Sequence, residues 1–122
     1  HLKVASHLLI RRDGQIIQYV PFHLRAFHAG LSIYRGRSRC NDFSIGIELE
    51  GTDFTPFTEE QYQQLTKVIQ ALCLSYPSLS LEQITGHQHI APERKTDPGP
   101  FFDWLRLGQD LGVHLPAEAE AR

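Results

Sequence analysis

The stretch Thr85–Pro100, TGHQHIAPERKTDPGP, gathers two histidines, two basic residues, two acids and three prolines among little apolar material. His87 and His89 stand two apart, as do Lys95 and Asp97. Imidazole and carboxylate together suit zinc, and a catalytic zinc site needs three protein ligands plus an open position for water. A zinc-bound water ionises near neutral pH and can attack an amide carbonyl. A carboxylate nearby could take the proton, and a cation nearby could hold the oxyanion. Glu48 and Lys95 have the side chains for those two tasks. If the stretch is extended, alternation puts Lys95 and Asp97 on one side.

Spacing alone also supports an ordinary reading. Two histidines near an acid in a Pro-rich loop are more often solvated loop residues than ligands. Glu48 and Glu50 could be the solvated face of an amphipathic strand. Arg35, Arg37 and Arg39 could be a solvated loop cluster, and His7 and His28 could serve packing or hydrogen bonding.

The elements that must position these residues follow from periodicity. Val4–Ile10 and Gln15–Val20 read as a β-hairpin turned at Asp13-Gly14. A long irregular stretch, 23–42, follows; such loops in small domains are usually functional or mobile. In FSIGIELEG, Ile45, Ile47 and Leu49 alternate with Gly46, Glu48 and Glu50, which gives a third strand with both carboxylates on one face. Thr58 is a strong helix N-cap, with Gln61 at the capping-box position and Phe57 and Tyr62 at the staple positions. Tyr62, Leu65, Ile69, Leu72 and Tyr76 then recur at helical spacing until Pro77 stops the helix. LEQITGH reads as a short strand or turn. PFFDWLRLGQDLG reads as a second helix capped by Gly112, and PAEAEAR as a frayed tail. The fold class is α/β (α+β): a mixed central sheet flanked by helices.

Bulk properties narrow the function classes. The 122 residues suffice for one domain with a real core. Net charge is −2, which gives no basic excess to attract nucleic acid. No apolar run approaches the roughly 20 residues that span a bilayer. Cys40 and Cys73 are too few for a disulfide framework, so two thiols in a reducing compartment are expected. The sequence contains no methionine and enters a strand pattern at His1, so it reads as part of a longer protein.

CNDFSIGIELEGTD followed by GHQHIAPERKTDPGP, with LIRRDGQIIQYVPF and HAG before them, resembles the N-acetylmuramoyl-L-alanine amidases of the amidase-2 and peptidoglycan-recognition superfamily. The similarity runs from His1 to about Trp104. It implies Zn2+ and hydrolysis of the amide between the lactyl group of (anhydro-)N-acetylmuramic acid and L-alanine. The implied setting is peptidoglycan recycling in the bacterial cytoplasm. The expected partner is a muropeptide substrate, with neither nucleic acid nor membrane, and a monomer is the expected state. Two other readings are an amidase acting on intact peptidoglycan and a peptidoglycan-binding module without catalysis.

Residue by residue, the resemblance makes His87 and Asp97 zinc ligands, Lys95 the oxyanion stabiliser and Glu48 the base that activates water. It places Arg39 and His28 near the substrate groove. His89 is not implied as a ligand. The family's third ligand is a histidine on an initial strand, expected upstream of residue 1; His1 and His7 are the in-chain alternatives. The expected domain is 1–115, lacking its first strand and inactive by itself, with 116–122 a disordered tail.

Overall fold

The computed structural model describes residues 6–24, 33–34, 37–38, 44–52, 54–90 and 96–115. Among them, strands β1 (Leu8–Ile10) and β2 (Ile16–Gln18) form the expected antiparallel hairpin, with Leu9 opposite Ile17. The turn is built as its residues dictate. Gly14 adopts φ +91, the left-handed conformation that glycine reaches without a Cβ clash. The Asp13 carboxylate accepts the Gln15 amide at 2.9 Å, an Asx turn. In the segment expected to be irregular, β3 (Ile33–Tyr34) and β4 (Arg37–Ser38) pair antiparallel. Pairing of these two short runs thus places strand where arginines and glycines gave no alternation.

Strand β5 (Ile47–Leu49) runs parallel to β1, giving the order β2-β1-β5 in a mixed sheet. Ile47 and Leu49 pack toward the core, while Glu48 is exposed. Helix α1 (Glu59–Ser75) carries the full capping box at Thr58 and Gln61. Phe57 and Tyr62 meet on the Phe102 ring, at 5.9 and 5.5 Å between centroids.

In LEQITGH the structure shows the turn of the two readings, strand or turn. Leu81–Gln83 form a 3₁₀ turn, Ile84 is extended, and the one-turn helix α2 (His87–Ile90) begins at the first histidine. A strand requires a neighbour for its backbone groups, and none of the described strands lies beside Ile84. Helix α3 (Trp104–Leu111) starts later than PFFDW suggests, because the Asp103 carboxylate caps the Arg106 amide. It ends as expected at Gly112, with φ +77.

Tyr62, Leu65 and Ile69 of α1 pack with Trp104, Leu107 and Leu111 of α3 under Ile10 of β1. At the rim, the Arg106 guanidinium lies 4.8 Å from the Tyr62 ring centroid and pairs with Glu59 and Asp110. The hydrogen bond from Arg106 holds the Glu59 carboxyl below the usual carboxylate range, whereas burial pushes the Tyr62 phenol up.

Gln61 joins the layers. Its side chain is fully buried and donates to the carbonyls of Ile10 (3.2 Å) and Glu50 (2.8 Å), while its Oε1 accepts the Thr58 amide (2.9 Å). Gln61→Ala leaves the Glu50 carbonyl without this donor and removes half of the cap, at a cost of about 2–3 kcal/mol. Urea unfolding should show a lower midpoint with an unchanged slope; an unchanged midpoint would show the contact to be energetically idle.

Candidate active site

His87 opens α2 directly after Gly86, and the packing there requires glycine. A Cβ on Gly86 would lie 2.6 Å from Pro98 Cδ and 3.2 Å from the Trp104 ring. That close approach brings the 86–88 backbone against 97–99. The Gln88 amide donates to the Asp97 carbonyl at 2.9 Å, and the Gly99 amide donates to Gln88 Oε1 at 2.8 Å. Between these ties, His87 Nδ1 sits 2.6 Å from Asp97 Oδ2. A carboxylate only accepts, so in this arrangement the ring proton lies on Nδ1. The His87 side chain is largely buried and that of Asp97 is half-exposed. Asp97 stands in a turn rather than in an extended run.

The other sequence-predicted residues separate. Glu48 projects from β5 and lines the same cavity as His87 and Asp97. Glu50 is occupied elsewhere: its carboxylate accepts the Arg12 amide at 2.9 Å and lies 3.8 Å from the Arg11 guanidinium. It therefore fastens the hairpin turn to the end of β5. His89 is buried against Trp104, at 5.6 Å between ring centroids. His7 is buried at 1% exposure. Its Nδ1 accepts the Gly46 amide at 3.1 Å and its Nε2 donates to the Leu24 carbonyl at 2.7 Å, so both ring nitrogens serve the fold. This is the packing and hydrogen-bonding role, not that of a substitute ligand. Lys95, Arg39, His28 and His1 lie outside the described residues.

The cavity has a volume of about 560 Å³ and lies between β5, α1, the 78–87 segment and the start of α3. Its floor is apolar, with Leu65, Ile69, Leu107 and Trp104, while Glu48, His87 and Asp97 supply polar groups. Sites for small molecules commonly have this size and this mixture. A closed, dry cavity of this volume would cost about 13 kcal/mol at about 24 cal/mol per Å³, as much as a whole domain's stability. Neither Gly86 nor Gln88 stands out by residue type as a functional group. The adjacency of glycine to the first histidine was the available signal.

Among the described residues, no group of three or more His, Cys, Asp or Glu is placed to hold a metal. The pair His87–Asp97 does fit zinc in donor type. Its two donor atoms, Nδ1 and Oδ2, lie 2.6 Å apart, and a cation binding there would displace the proton of the hydrogen bond between them.

The family model described as N-acetylmuramoyl-L-alanine amidase matches residues 1–100. The chain belongs to this family. It is 65% identical over 107 residues to the 1,6-anhydro-N-acetylmuramyl-L-alanine amidase AmpD of Citrobacter freundii, covering 88% of this chain and 57% of that protein. It thus spans a little over half the length of that relative. A crystal structure of selenomethionine AmpD superposes with a TM-score of 0.86 at 62% identity, over 91% of this chain and 62% of that one. AmiD of Escherichia coli, solved with the substrate anhydro-N-acetylmuramic acid-L-Ala-D-gamma-Glu-L-Lys, gives 0.84 at 36% identity, over 93% and 49%. The mixed sheet flanked by helices is therefore the amidase fold. Among the described residues no helix is long and apolar enough to cross a membrane.

Gly86→Ala tests the construction of this candidate site. The added methyl has to displace Pro98 or Trp104, which should cost about 1–3 kcal/mol as overpacking does. It should also separate His87 from Asp97, seen as a changed His87 ring resonance in NMR spectra. A variant of unchanged stability with an unchanged His87 signal would refute this account.

Proposed function

We propose that the protein is a zinc-dependent amidase. Its reaction is hydrolysis of the bond between the lactyl group of (anhydro-)N-acetylmuramic acid and L-alanine in muropeptides, in cytoplasmic peptidoglycan recycling. The observation that carries this reading is the 2.6 Å approach of His87 and Asp97, within the family-matched stretch, on a cavity that Glu48 also lines. Residues 1–115 are the C-terminal two thirds of the catalytic domain in this reading.

His87 and Asp97 would hold the metal, with a third imidazole from outside the described residues. Zinc, when bound, supplies a water that ionises near neutral pH and a Lewis acid for the scissile carbonyl. Glu48 takes the proton of the attacking water and returns it to the leaving amine of L-alanine, so one proton crosses from nucleophile to leaving group. Its exposed position on β5 leaves it open to solvent and substrate. Lys95 donates to the oxyanion that develops as the carbonyl is attacked. Arg39 and His28 meet the carboxylates of the peptide stem, where a guanidinium makes charge-assisted hydrogen bonds. A muropeptide-binding module without catalysis is the second reading. It is favoured by the presence of only two candidate ligands in contact among the described residues.

Two measurements decide between these readings. Metal analysis of active protein should find one zinc per chain, and EDTA should abolish release of peptide from an anhydromuropeptide. Turnover by metal-free protein would overturn the assignment, and metal-free protein that binds the muropeptide without turnover would favour the module.

Glu48→Ala should retain zinc and lower kcat by about two to four orders of magnitude, the range for loss of a general base. Glu50→Ala should keep kcat near the parent value and instead weaken the hairpin attachment that its carboxylate makes. Equal losses of turnover in the two variants would mean that Glu48 is not the base.

A further inference from the structure

Gln88 grips the 97–99 turn twice. Its amide donates to the Asp97 carbonyl at 2.9 Å, and its Oε1 accepts the Gly99 amide at 2.8 Å. Pro98, between those two residues, has no N–H to contribute. Gly99 is buried at φ +86, a left-handed backbone that suits glycine. Its buried amide needs an acceptor, and the Gln88 side chain supplies one. The Gly99 carbonyl accepts the Phe102 amide at 3.3 Å, which fastens the same turn to the core. The Asp97 carboxylate rides on this turn and is half-exposed, whereas the His87 imidazole, one residue before Gln88, is largely buried. An aspartate side chain is too short to make good a shift of its own backbone. Fixing the backbone of Asp97 therefore fixes where its Oδ2 can reach.

We propose that Gln88 is a positioning residue of the candidate zinc site: its double grip on the 97–99 turn holds Asp97 Oδ2 against His87 Nδ1 and thereby sets the affinity for the metal. The inference rests on the zinc assignment made above. A cation bound between two donors draws on both, and its affinity falls when their separation is no longer held. Residues that orient metal ligands are commonly worth about 10–100-fold in affinity. The side-chain half of the grip is the half that a substitution can remove, because the main-chain half survives any residue but proline.

Gln88→Met keeps the length of the side chain but ends in a methyl instead of an accepting oxygen, and Gln88→Glu restores an oxygen. Zinc affinity is measured by competition with a chromophoric chelator. In the metal-free protein, 15N NMR follows the His87 ring, and hydrogen exchange follows the Gly99 amide. Gln88→Met should bind zinc about 10–100-fold more weakly and exchange the Gly99 amide about tenfold faster. Its His87 ring should pass from the Nδ1-protonated form, which Asp97 holds, to a mixture of tautomers. Gln88→Glu should return all three readouts toward the parent values. Gln61→Ala, which weakens the fold elsewhere, should leave zinc affinity unchanged, so that lost positioning is told apart from lost stability. Where Gln88→Met fails to fold, Gln88→Asn, one methylene too short to reach Gly99, takes its place. The proposal is overturned if the variant without the acceptor keeps the parent's zinc affinity, if Gln88→Glu is weakened as much, or if Gln61→Ala is. A parent protein that binds no zinc refutes the zinc assignment, and the His87 ring then decides the grip. An unchanged tautomer in Gln88→Met overturns it, and a mixture that Gln88→Glu reverses upholds it.

Discussion

The buried amide of Gln61 is the contact on which the rest of this structure depends. Two parallel strands, β1 and β5, end side by side, and at their C-terminal ends the Ile10 carbonyl, which also accepts the Glu50 amide, and the Glu50 carbonyl both face α1. Gln61 answers both from the first turn of α1 and at the same time completes that helix's own cap. A single side chain therefore sets the height and rotation of α1 under the sheet. The face of α1 that floors the cavity, Leu65 and Ile69, lies one and two turns further along the same helix. Glu48 lies two residues before the Glu50 carbonyl that Gln61 holds. Helix, strand and candidate base share one reference point.

A second set of short-range contacts builds the other wall. Gly86 allows the backbone to approach Pro98, and Gln88 then ties its segment to Asp97 and Gly99 through its amide and its side chain. His87 and Asp97, ten positions apart in sequence, meet at hydrogen-bond distance beside these ties. In this way a half-exposed carboxylate and a largely buried imidazole can be held in register. The two walls meet through the floor, because Phe102 and Trp104 follow directly from the Asp97–Pro100 turn and enter the core that α1 also enters.

The hairpin, the capped helix, the Gly112 stop and the period of the third strand were legible in the sequence because each is a local matter of turn chemistry, capping or side-chain alternation. The residue types able to do hydrolytic chemistry were legible for the same reason, and motif resemblance grouped them as a candidate site. Distinguishing Glu48 from Glu50 was not a local matter. Both stand on the same face of the same strand, and only the arrival of Arg11 and Arg12 from the hairpin gives Glu50 its partners. His87 and His89 likewise differ only through Asp97 and Trp104, which come from farther along the chain. The backbone at Ile84 was extended, as its residues suggested, but a strand exists only beside another strand. Local sequence fixed what each segment prefers. Tertiary structure decided which groups meet, since hydrogen bonds and close packing between distant segments form only once the chain has closed on itself.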